Sequence, residues 1–168
     1  MDLTKFKNLK SPYVLILVGH PLVGKSFFCD KFIKEIDSNV TIISRDQIVL
    51  DLHGNEDYNK AFRSVDQKEV DRLLISKLQE SSDDGKNVII DMTHMNSKRR
   101  RYNLSFFDED YYKLAVIFPI LSDEEYIMRD KKRTIEENKS IPIHVIKNMI
   151  SSYQPIKHDE GFNRVISI

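Results

Sequence analysis

Hydrophobic residues form short continuous runs along the chain, and these runs alternate with longer stretches of helical spacing. The runs predict five strands, at Val14–Val18, Val40–Ile43, Val88–Ile90, Leu114–Phe118 and Arg164–Ile168. Runs without polar alternation are typical of strands that are buried on both faces, as in a parallel sheet covered by helices.

Between these runs, apolar residues recur every three or four positions, which predicts helices. The helices lie at Ser26–Ile36, Asp46–Leu52, Asn59–Glu80, Ser97–Phe107, Asp123–Lys132 and Pro142–Tyr153. Ser97 and Ser122 are of a type that caps helices, and Pro142 suits a first helical turn. The alternation predicts a three-layer α/β fold with right-handed crossovers, and 168 residues suit one domain over 1–168.

A glycine-rich stretch separates the first predicted strand from the first predicted helix. Its spacing is G-x-x-x-x-G-K-S, followed by Phe27, and its residues are Gly19, His20, Pro21, Leu22, Val23, Gly24, Lys25 and Ser26. Such a loop turns backbone N–H groups around phosphate oxygens at a helix N-terminus, which favours anions. Lys25 is expected to reach the β- and γ-phosphates, and the Ser26 hydroxyl to ligate Mg²⁺. The stretch therefore predicts a site for ATP or another nucleoside triphosphate with Mg²⁺.

Composition limits the other possibilities. The 26 basic and 26 acidic side chains cancel, so any nucleic-acid site must be a local patch. The single cysteine, Cys29, excludes an internal disulfide and suits a reducing compartment. The N-terminal residues have no apolar core of a signal peptide, and no apolar run reaches membrane-spanning length, so we expect a cytoplasmic protein. Composition carries no information about oligomeric state.

Polar residues that follow the predicted strands are the candidates for chemistry, because ligands of such sheets bind beyond the carboxyl ends of the strands. Arg45 and Asp46 follow the second strand, and Asp91-Met92-Thr93-His94 follows the third. Arg129 and Arg133 come on the helix after the fourth strand. Carboxylates and arginines beside a triphosphate are what phosphoryl transfer requires.

These residues resemble those of the bacteriophage 5′-hydroxyl polynucleotide kinase family. The resemblance extends with gaps from Val14 to Tyr153, and the segment from Pro155 to Val165 is similar to the wider group of small P-loop kinases. It is carried by Ser44-Arg45-Asp46, Asp91-Met92-Thr93-His94, Asn96, Arg99-Arg100, Arg129-x-x-x-Arg133, Ile141-Pro142-Ile143, Met149 and Tyr153. It implies the P-loop kinase sandwich, with a parallel sheet in the order 2-3-1-4-5 and a helical lid at about 129–141.

The resemblance also implies roles for individual residues. Asp46 matches the general base for the 5′-hydroxyl, and Arg133 and Arg129 match arginines that contact the donor phosphates. The predicted catalytic residues are thus Asp46, Lys25 and Arg133, with the alternative that Asp46 is only a helix N-cap. The predicted acceptor pocket consists of Arg45, Asp46, Val49, Asp91, Thr93 and His94.

Two positions depart from the phage pattern. Val49 stands where those enzymes carry an arginine that grips the acceptor's 3′-phosphate, and Met92 stands where an aspartate is common.

The basic run 98–101 either neutralises backbone phosphates or is a solvated helix face with one arginine packed inward. Four aromatic side chains are expected either to stack on bases or to fill the core: Phe106, Phe107, Tyr111 and Tyr112.

The sequence thus predicts an ATP-dependent kinase of 5′-hydroxyl ends of DNA or RNA, acting in nucleic-acid repair and without a phosphatase half. Its predicted partner is a 5′-hydroxyl nucleic-acid end. One alternative is a P-loop kinase of a small-molecule or tRNA-linked hydroxyl, and another is a non-catalytic regulator that binds nucleotide. The choices between DNA and RNA and between ATP and GTP stay open.

Overall fold

The computed structural model describes residues 1–54, 58–137 and 139–168, and a parallel sheet forms the centre of these residues. The strands are β1 (Tyr13–Val18), β2 (Thr41–Ser44), β3 (Val88–Asp91), β4 (Tyr112–Ile117) and β5 (Arg164–Ser167). The helices are α1 (Lys25–Glu35), α2 (Arg45–His53), α3 (Tyr58–Ser64), α4 (Gln67–Asp83), α5 (Ser97–Leu104), α6 (Asp123–Glu137) and α7 (Ile143–Ser151). Short 3₁₀ turns occur at Thr4–Phe6 and His158–Glu160.

The strand order in the described sheet is β2-β3-β1-β4-β5, with every pair parallel, which confirms the predicted fold class and order. All six residues of β1 are buried, because β1 is the central strand and helices cover both of its faces. This order brings the ends of β2, β3 and β1 side by side at one edge of the sheet.

Two apolar layers enclose the sheet, one on each face. The first contains Phe28 and Phe32 of α1 packed on Leu15 and Leu17 of β1, with Phe6 in edge-to-face contact with both rings. The second packs α2, α4 and α5 on the opposite face, where alternate residues of β1 such as Ile16 point. Phe107 and Tyr111 belong to this second layer and are almost fully buried, which confirms that these two rings fill the core.

The helix predicted at Asn59–Glu80 is in fact two helices, and the prediction of one continuous helix was wrong. α3 ends at Ser64, and α4 begins after Asp66, whose carboxylate accepts a hydrogen bond from the N–H of Lys68 at 2.9 Å. An aspartate that caps a helix competes with continuation of the preceding one. The separate helix α3 matters for the site, because the hydroxyl of Tyr58 at its start donates to Asp46, which follows β2.

The predicted lid at about 129–141 contains the second half of α6 and the segment that leads to α7, and residue 138 lies outside the described residues. Tyr126 of α6, just before this region, is buried and donates a hydrogen bond from its hydroxyl to the carbonyl of Ile141, which ties the last residue of the region to the first half of α6. None of the described helices combines the length and the apolar character that a membrane crossing needs.

Candidate active site

The phosphate loop joins β1 to α1 and is shaped by two glycines. A Cβ at Gly19 would lie 2.9 Å from Cβ of Phe118 and 3.0 Å from Cγ2 of Val23, so the loop fits this place only without a side chain. Gly24 has a φ of +98° and directly precedes α1. The N–H of Gly19 donates to the carbonyl of Thr93 at 3.0 Å, which fastens the loop to the turn after β3.

The Lys25 ammonium lies across the phosphate loop. It donates to the carbonyls of Gly19 and His20, at 3.0 and 2.9 Å. Burial lowers the pKa of Lys25 to about 8, although the charges of Asp91 and Asp46 act in the opposite direction. The ammonium is therefore a charge that phosphate oxygens would stabilise strongly.

Ser26 and Asp91 come together at the start of α1. The Ser26 hydroxyl donates to Oδ2 of Asp91 at 3.2 Å. Burial raises the pKa of Asp91, and the charge of Lys25 partly offsets this. A hydroxyl and a carboxylate are the hard oxygen donors that Mg²⁺ prefers, so the pair fits this ion. The sequence interpretation assigned Asp91 to the acceptor pocket and missed this pairing, although β3 lying next to β1 in the expected order already indicated it.

Asp46 stands in the first turn of α2, at the end of β2. It does not cap the helix, because the cap is Ser44, whose hydroxyl accepts from the N–H of Gln47 at 3.4 Å. Instead, Oδ1 of Asp46 accepts from the hydroxyl of Tyr58 at 2.8 Å, and Oδ2 accepts from Nζ of Lys139 at 2.6 Å. The alternative of a helix N-cap is therefore excluded for Asp46.

Asp46 is held in its ionised form by its neighbours. Desolvation by the surrounding protein would raise the pKa of Asp46, but the Lys139 charge and hydrogen bonds from Lys139 and Tyr58 outweigh it and lower the pKa. Lys25 acts in the same direction from the phosphate loop. An ionised carboxylate that still has 54% of its side chain exposed is able to accept a hydrogen bond from a hydroxyl.

The two lid arginines lie on α6, four positions apart. Nη1 of Arg129 donates to the carbonyl of Leu22 at 3.0 Å, so this arginine contacts the phosphate loop. Nε of Arg133 donates to the carbonyl of Lys139 at 3.2 Å. Nη2 of Arg133 is buried, and within the described ranges no hydrogen-bond partner meets it. A buried, unpaired guanidinium nitrogen is suited to an anion such as a donor phosphate.

Two residues of the predicted acceptor pocket, Arg45 and Val49, have side chains that are engaged elsewhere. Arg45 donates to Gln67 at 2.8 Å and to Asp71 at 3.3 Å, which ties α2 to α4. Val49 is fully buried in the second core layer. A third residue of that pocket, Thr93, contacts the phosphate loop through its carbonyl, which accepts from the N–H of Gly19. The side chains of Arg45 and Val49 therefore have structural contacts that the sequence did not reveal.

Both site histidines are buried, with 1% exposure each. Nδ1–H of His94 donates to the carbonyl of Leu17 at 2.9 Å, and Nε2 accepts from the amide of Asn103 at 2.8 Å. Burial lowers the pKa of His94 to about 4, so the ring is neutral. Nδ1–H of His20 likewise donates to the carbonyl of Pro21, at 2.7 Å. Neither ring presents a free face to a ligand, and the predicted acceptor contact of the His94 side chain does not fit this placement.

A buried ion pair supports the turn after β3. Arg100 and Glu160 have fully buried side chains and contact each other at 2.6 Å. The same guanidinium donates to the carbonyls of His94, Gln154 and Pro155. Arg100 is thus the inward-packed arginine of the basic run, and it joins the turn after β3 to the C-terminal segment.

Comparison with solved structures supports the fold. The structure of the Pnkp1/Rnl/Hen1 RNA repair complex matches at a TM-score of 0.68 and 23% identity, over 95% of this chain and 52% of that one. The chain thus spans about half the length of that protein. A putative kinase from Chloroflexus aurantiacus matches at 0.64 and 13% identity, over 95% of this chain and 86% of the other.

A third neighbour is Chaetomium thermophilum Kti12 in complex with ADP-AlF3, at a TM-score of 0.63 and 11% identity, over 92% of this chain and 88% of that one. At these identities the likeness concerns the fold. No curated protein matches the sequence.

The family comparison covers most of the chain. The model of a family described as AAA domain matches residues 14–156, which extend from β1 through α7 and include the phosphate loop, Asp46, Asp91 and both lid arginines. Since this match and the fold of its kinase neighbours agree with the phosphate-loop geometry, the chain belongs to this AAA-domain family and has a P-loop kinase fold.

Proposed function

We propose that this protein is an ATP-dependent polynucleotide 5′-hydroxyl kinase, which transfers the γ-phosphate to the 5′-OH end of DNA or RNA. The observation that carries the proposal is the ionised, half-exposed carboxylate of Asp46 at the same edge of the sheet as Lys25 and the Ser26–Asp91 pair. A carboxylate facing a triphosphate site is the arrangement that phosphoryl transfer to a hydroxyl needs.

On the donor side, the loop from Gly19 to Ser26 would surround the β- and γ-phosphates with backbone N–H groups. Lys25 would exchange its contacts with loop carbonyls for contacts with phosphate oxygens. Arg129 and Arg133 would add positive charge from the lid as negative charge develops on the moving phosphoryl group. Ser26 and Asp91 would hold Mg²⁺, which when bound neutralises part of the charge on the β- and γ-phosphates.

On the acceptor side, Asp46 would accept a hydrogen bond from the 5′-hydroxyl and direct its oxygen at the γ-phosphorus. As the new P–O bond forms, the bond from the γ-phosphorus to the bridging oxygen of ADP breaks, and the hydroxyl proton passes toward Asp46. Because the pKa of Asp46 is low, alignment of the nucleophile is expected to contribute more than proton affinity.

The polynucleotide acceptor is supported by the resemblance around Asp46 and Thr93, whereas the RNA-repair neighbour, at 23% identity, supports the fold alone. Val49 and Met92 are where the acceptor side differs from the phage pattern. We therefore expect a kinase that does not require a 3′-phosphate on its acceptor, because Val49 is apolar and buried.

The test is transfer of labelled γ-phosphate to 5′-hydroxyl oligonucleotides of DNA and RNA, with and without a 3′-phosphate, beside a panel of nucleosides and small alcohols. The proposal predicts labelled oligonucleotide that loses its label to a phosphomonoesterase. Labelling of a small alcohol without any labelling of oligonucleotides would overturn it in favour of a small-molecule kinase. Nucleotide binding without any transfer would overturn it in favour of a non-catalytic nucleotide-binding protein.

A further inference from the structure

Lys139 contacts both halves of the site at once. Its main-chain carbonyl accepts from Nε of Arg133 at 3.2 Å, on the donor side. Its side-chain ammonium donates to Oδ2 of Asp46 at 2.6 Å, on the acceptor side. One residue of the lid segment therefore lies between the arginine proposed to bind the donor and the carboxylate proposed to orient the acceptor.

Tyr58 completes this arrangement from α3. Nζ of Lys139 lies 3.5 Å from the centroid of the Tyr58 ring, which is a cation–π contact. The hydroxyl of the same ring donates to Oδ1 of Asp46. Each oxygen of Asp46 thus receives one donor from a different segment, and the carboxylate cannot rotate without losing both.

The contact differs from an ordinary surface ion pair. The side chain of Lys139 is only 15% exposed. Lys132, on the preceding helix α6, is 73% exposed and pairs with Glu136 at 3.8 Å in the i,i+4 manner of a solvated helix face. Sheltered, short pairs with an aromatic face beside them are stronger and better oriented than exposed ones.

Asp46 can still accept a hydrogen bond from an acceptor hydroxyl while it is paired with Lys139. A carboxylate oxygen has two lone pairs, so an oxygen that accepts one hydrogen bond from Lys139 or Tyr58 can accept another from a hydroxyl. The pair therefore orients Asp46 rather than blocking it.

We propose that Lys139 is a positioning residue that couples the two halves of the site, holding Asp46 in line with the donor when the lid segment is in place. The proposal rests on the proposed kinase function. Lys139 acts through Asp46, and its main-chain contact with Arg133 makes the position of the base depend on the position of the lid.

The experiment compares Lys139→Met, Lys139→Arg and the matched control Lys132→Met by steady-state transfer to a 5′-hydroxyl oligonucleotide, after melting curves establish that each variant is folded. We expect Lys139→Met to lower kcat at least about tenfold while KM for ATP stays within about twofold, because a misaligned nucleophile affects the transition state and not donor binding. Lys139→Arg should restore most of kcat, since a guanidinium also pairs with carboxylates and stacks on aromatic rings.

Several outcomes would overturn the inference. If the wild type transfers phosphate and Lys139→Met matches Lys132→Met, then Lys139 does not position Asp46. A rise in kcat for Lys139→Met would show that the pair inhibits, and loss of activity that Lys139→Arg does not restore would show a purely structural role. No transfer by the wild type to any oligonucleotide would overturn the proposed function, and this inference with it.

Discussion

The proposed donor half and the proposed acceptor half of the site are built in different ways. The donor half consists mainly of eight consecutive residues, Gly19–Ser26, whose backbone is shaped by glycines and by the start of α1. The acceptor half consists of single side chains that come from α2, α3 and the lid segment, namely Asp46, Tyr58 and Lys139.

This difference indicates that specificity for the acceptor can change more easily than binding of the triphosphate. A backbone cradle accepts any triphosphate and depends little on side chains other than Lys25 and Ser26. A pocket made of side chains from separate elements can be altered by one substitution without loss of the fold. The two departures from the phage pattern differ from this pocket, because Val49 is buried in the second core layer and Met92 is partly buried against the same layer.

The largest effects are expected from two variants, Asp46→Asn and Lys25→Met, each of which removes one charge from one half of the site. Asp46→Asn should lower phosphate transfer on the order of a thousandfold and leave nucleotide binding nearly intact, because it removes the ionised acceptor of the hydroxyl hydrogen bond. Lys25→Met should lower both transfer and nucleotide binding, because the ammonium would contact the phosphates. Labelled-phosphate transfer and calorimetric titration with ATP measure the two properties.

If Asp46→Asn weakened nucleotide binding as much as Lys25→Met did, the division into halves would be wrong. If Asp46→Asn and the wild type transferred phosphate at equal rates, Asp46 would have no part in the reaction.

The next effect concerns the buried pair of Arg100 and Glu160, which supports the turn after β3. Glu160→Gln should lower the free energy of unfolding by about 3 kcal/mol, because it leaves the Arg100 guanidinium buried without its counter-charge. Urea denaturation at neutral pH measures the change. Asp159→Asn is the matched control, since Asp159 pairs with the neighbouring Arg101 at 2.8 Å on the exposed surface and its loss should change stability little. Similar losses for the two variants would contradict the expected difference between buried and exposed pairs.

A variant of Asp91 tests whether this carboxylate belongs to the Mg²⁺ site of the donor half. Asp91→Asn should raise the Mg²⁺ concentration needed for half-maximal transfer by about 10- to 100-fold, because it removes a charged oxygen donor beside Ser26. KM for the acceptor should not change. Magnesium titrations at saturating ATP measure the Mg²⁺ concentration for half-maximal transfer. If KM for the acceptor changed and the Mg²⁺ requirement did not, Asp91 would belong to the acceptor pocket instead.

The smallest expected effect is a displacement of the pH profile. Asp46 must be ionised to accept the hydroxyl hydrogen bond, so transfer should fall as the pH falls through the pKa of Asp46. Desolvation raises this pKa, but Lys139, Tyr58 and Lys25 together outweigh desolvation and lower it. Lys139→Met removes the largest lowering cause, so the acidic limb should move to higher pH. Profiles of kcat for both proteins measure this, and an unmoved or lower limb would contradict the charge argument.

Local patterns were enough for most of the fold. Continuous apolar runs predicted the central strands β1 and β3, because a strand covered on both faces has no polar positions to interrupt it. The order 2-3-1-4-5 followed from the family resemblance and is confirmed. The break between α3 and α4 was missed, because the apolar spacing continues through Val65 and only the capping contact of Asp66 divides it.

The acceptor side could not be predicted to the same extent. Val49 and His94 lie within a few residues of a strand end, as Asp46 and Thr93 do, yet they are buried. Whether a residue after a strand faces the site or the core depends on the direction in which the chain turns, which sequence position does not specify. The pairing of Asp46 with Lys139 joins residues 93 positions apart, and no local pattern indicates it.

The sequence by itself determined the phosphate loop, since its function depends on backbone torsions and helix-end geometry that consecutive residues encode. It also placed Asp46 at the end of a strand beside that loop. Only the tertiary structure decided what surrounds Asp46, moved Asp91 next to Ser26, and buried Val49, His94 and Arg100. The physical reason is that burial and ion pairing depend on which segments meet across the sheet, and those meetings are fixed by packing of the whole chain.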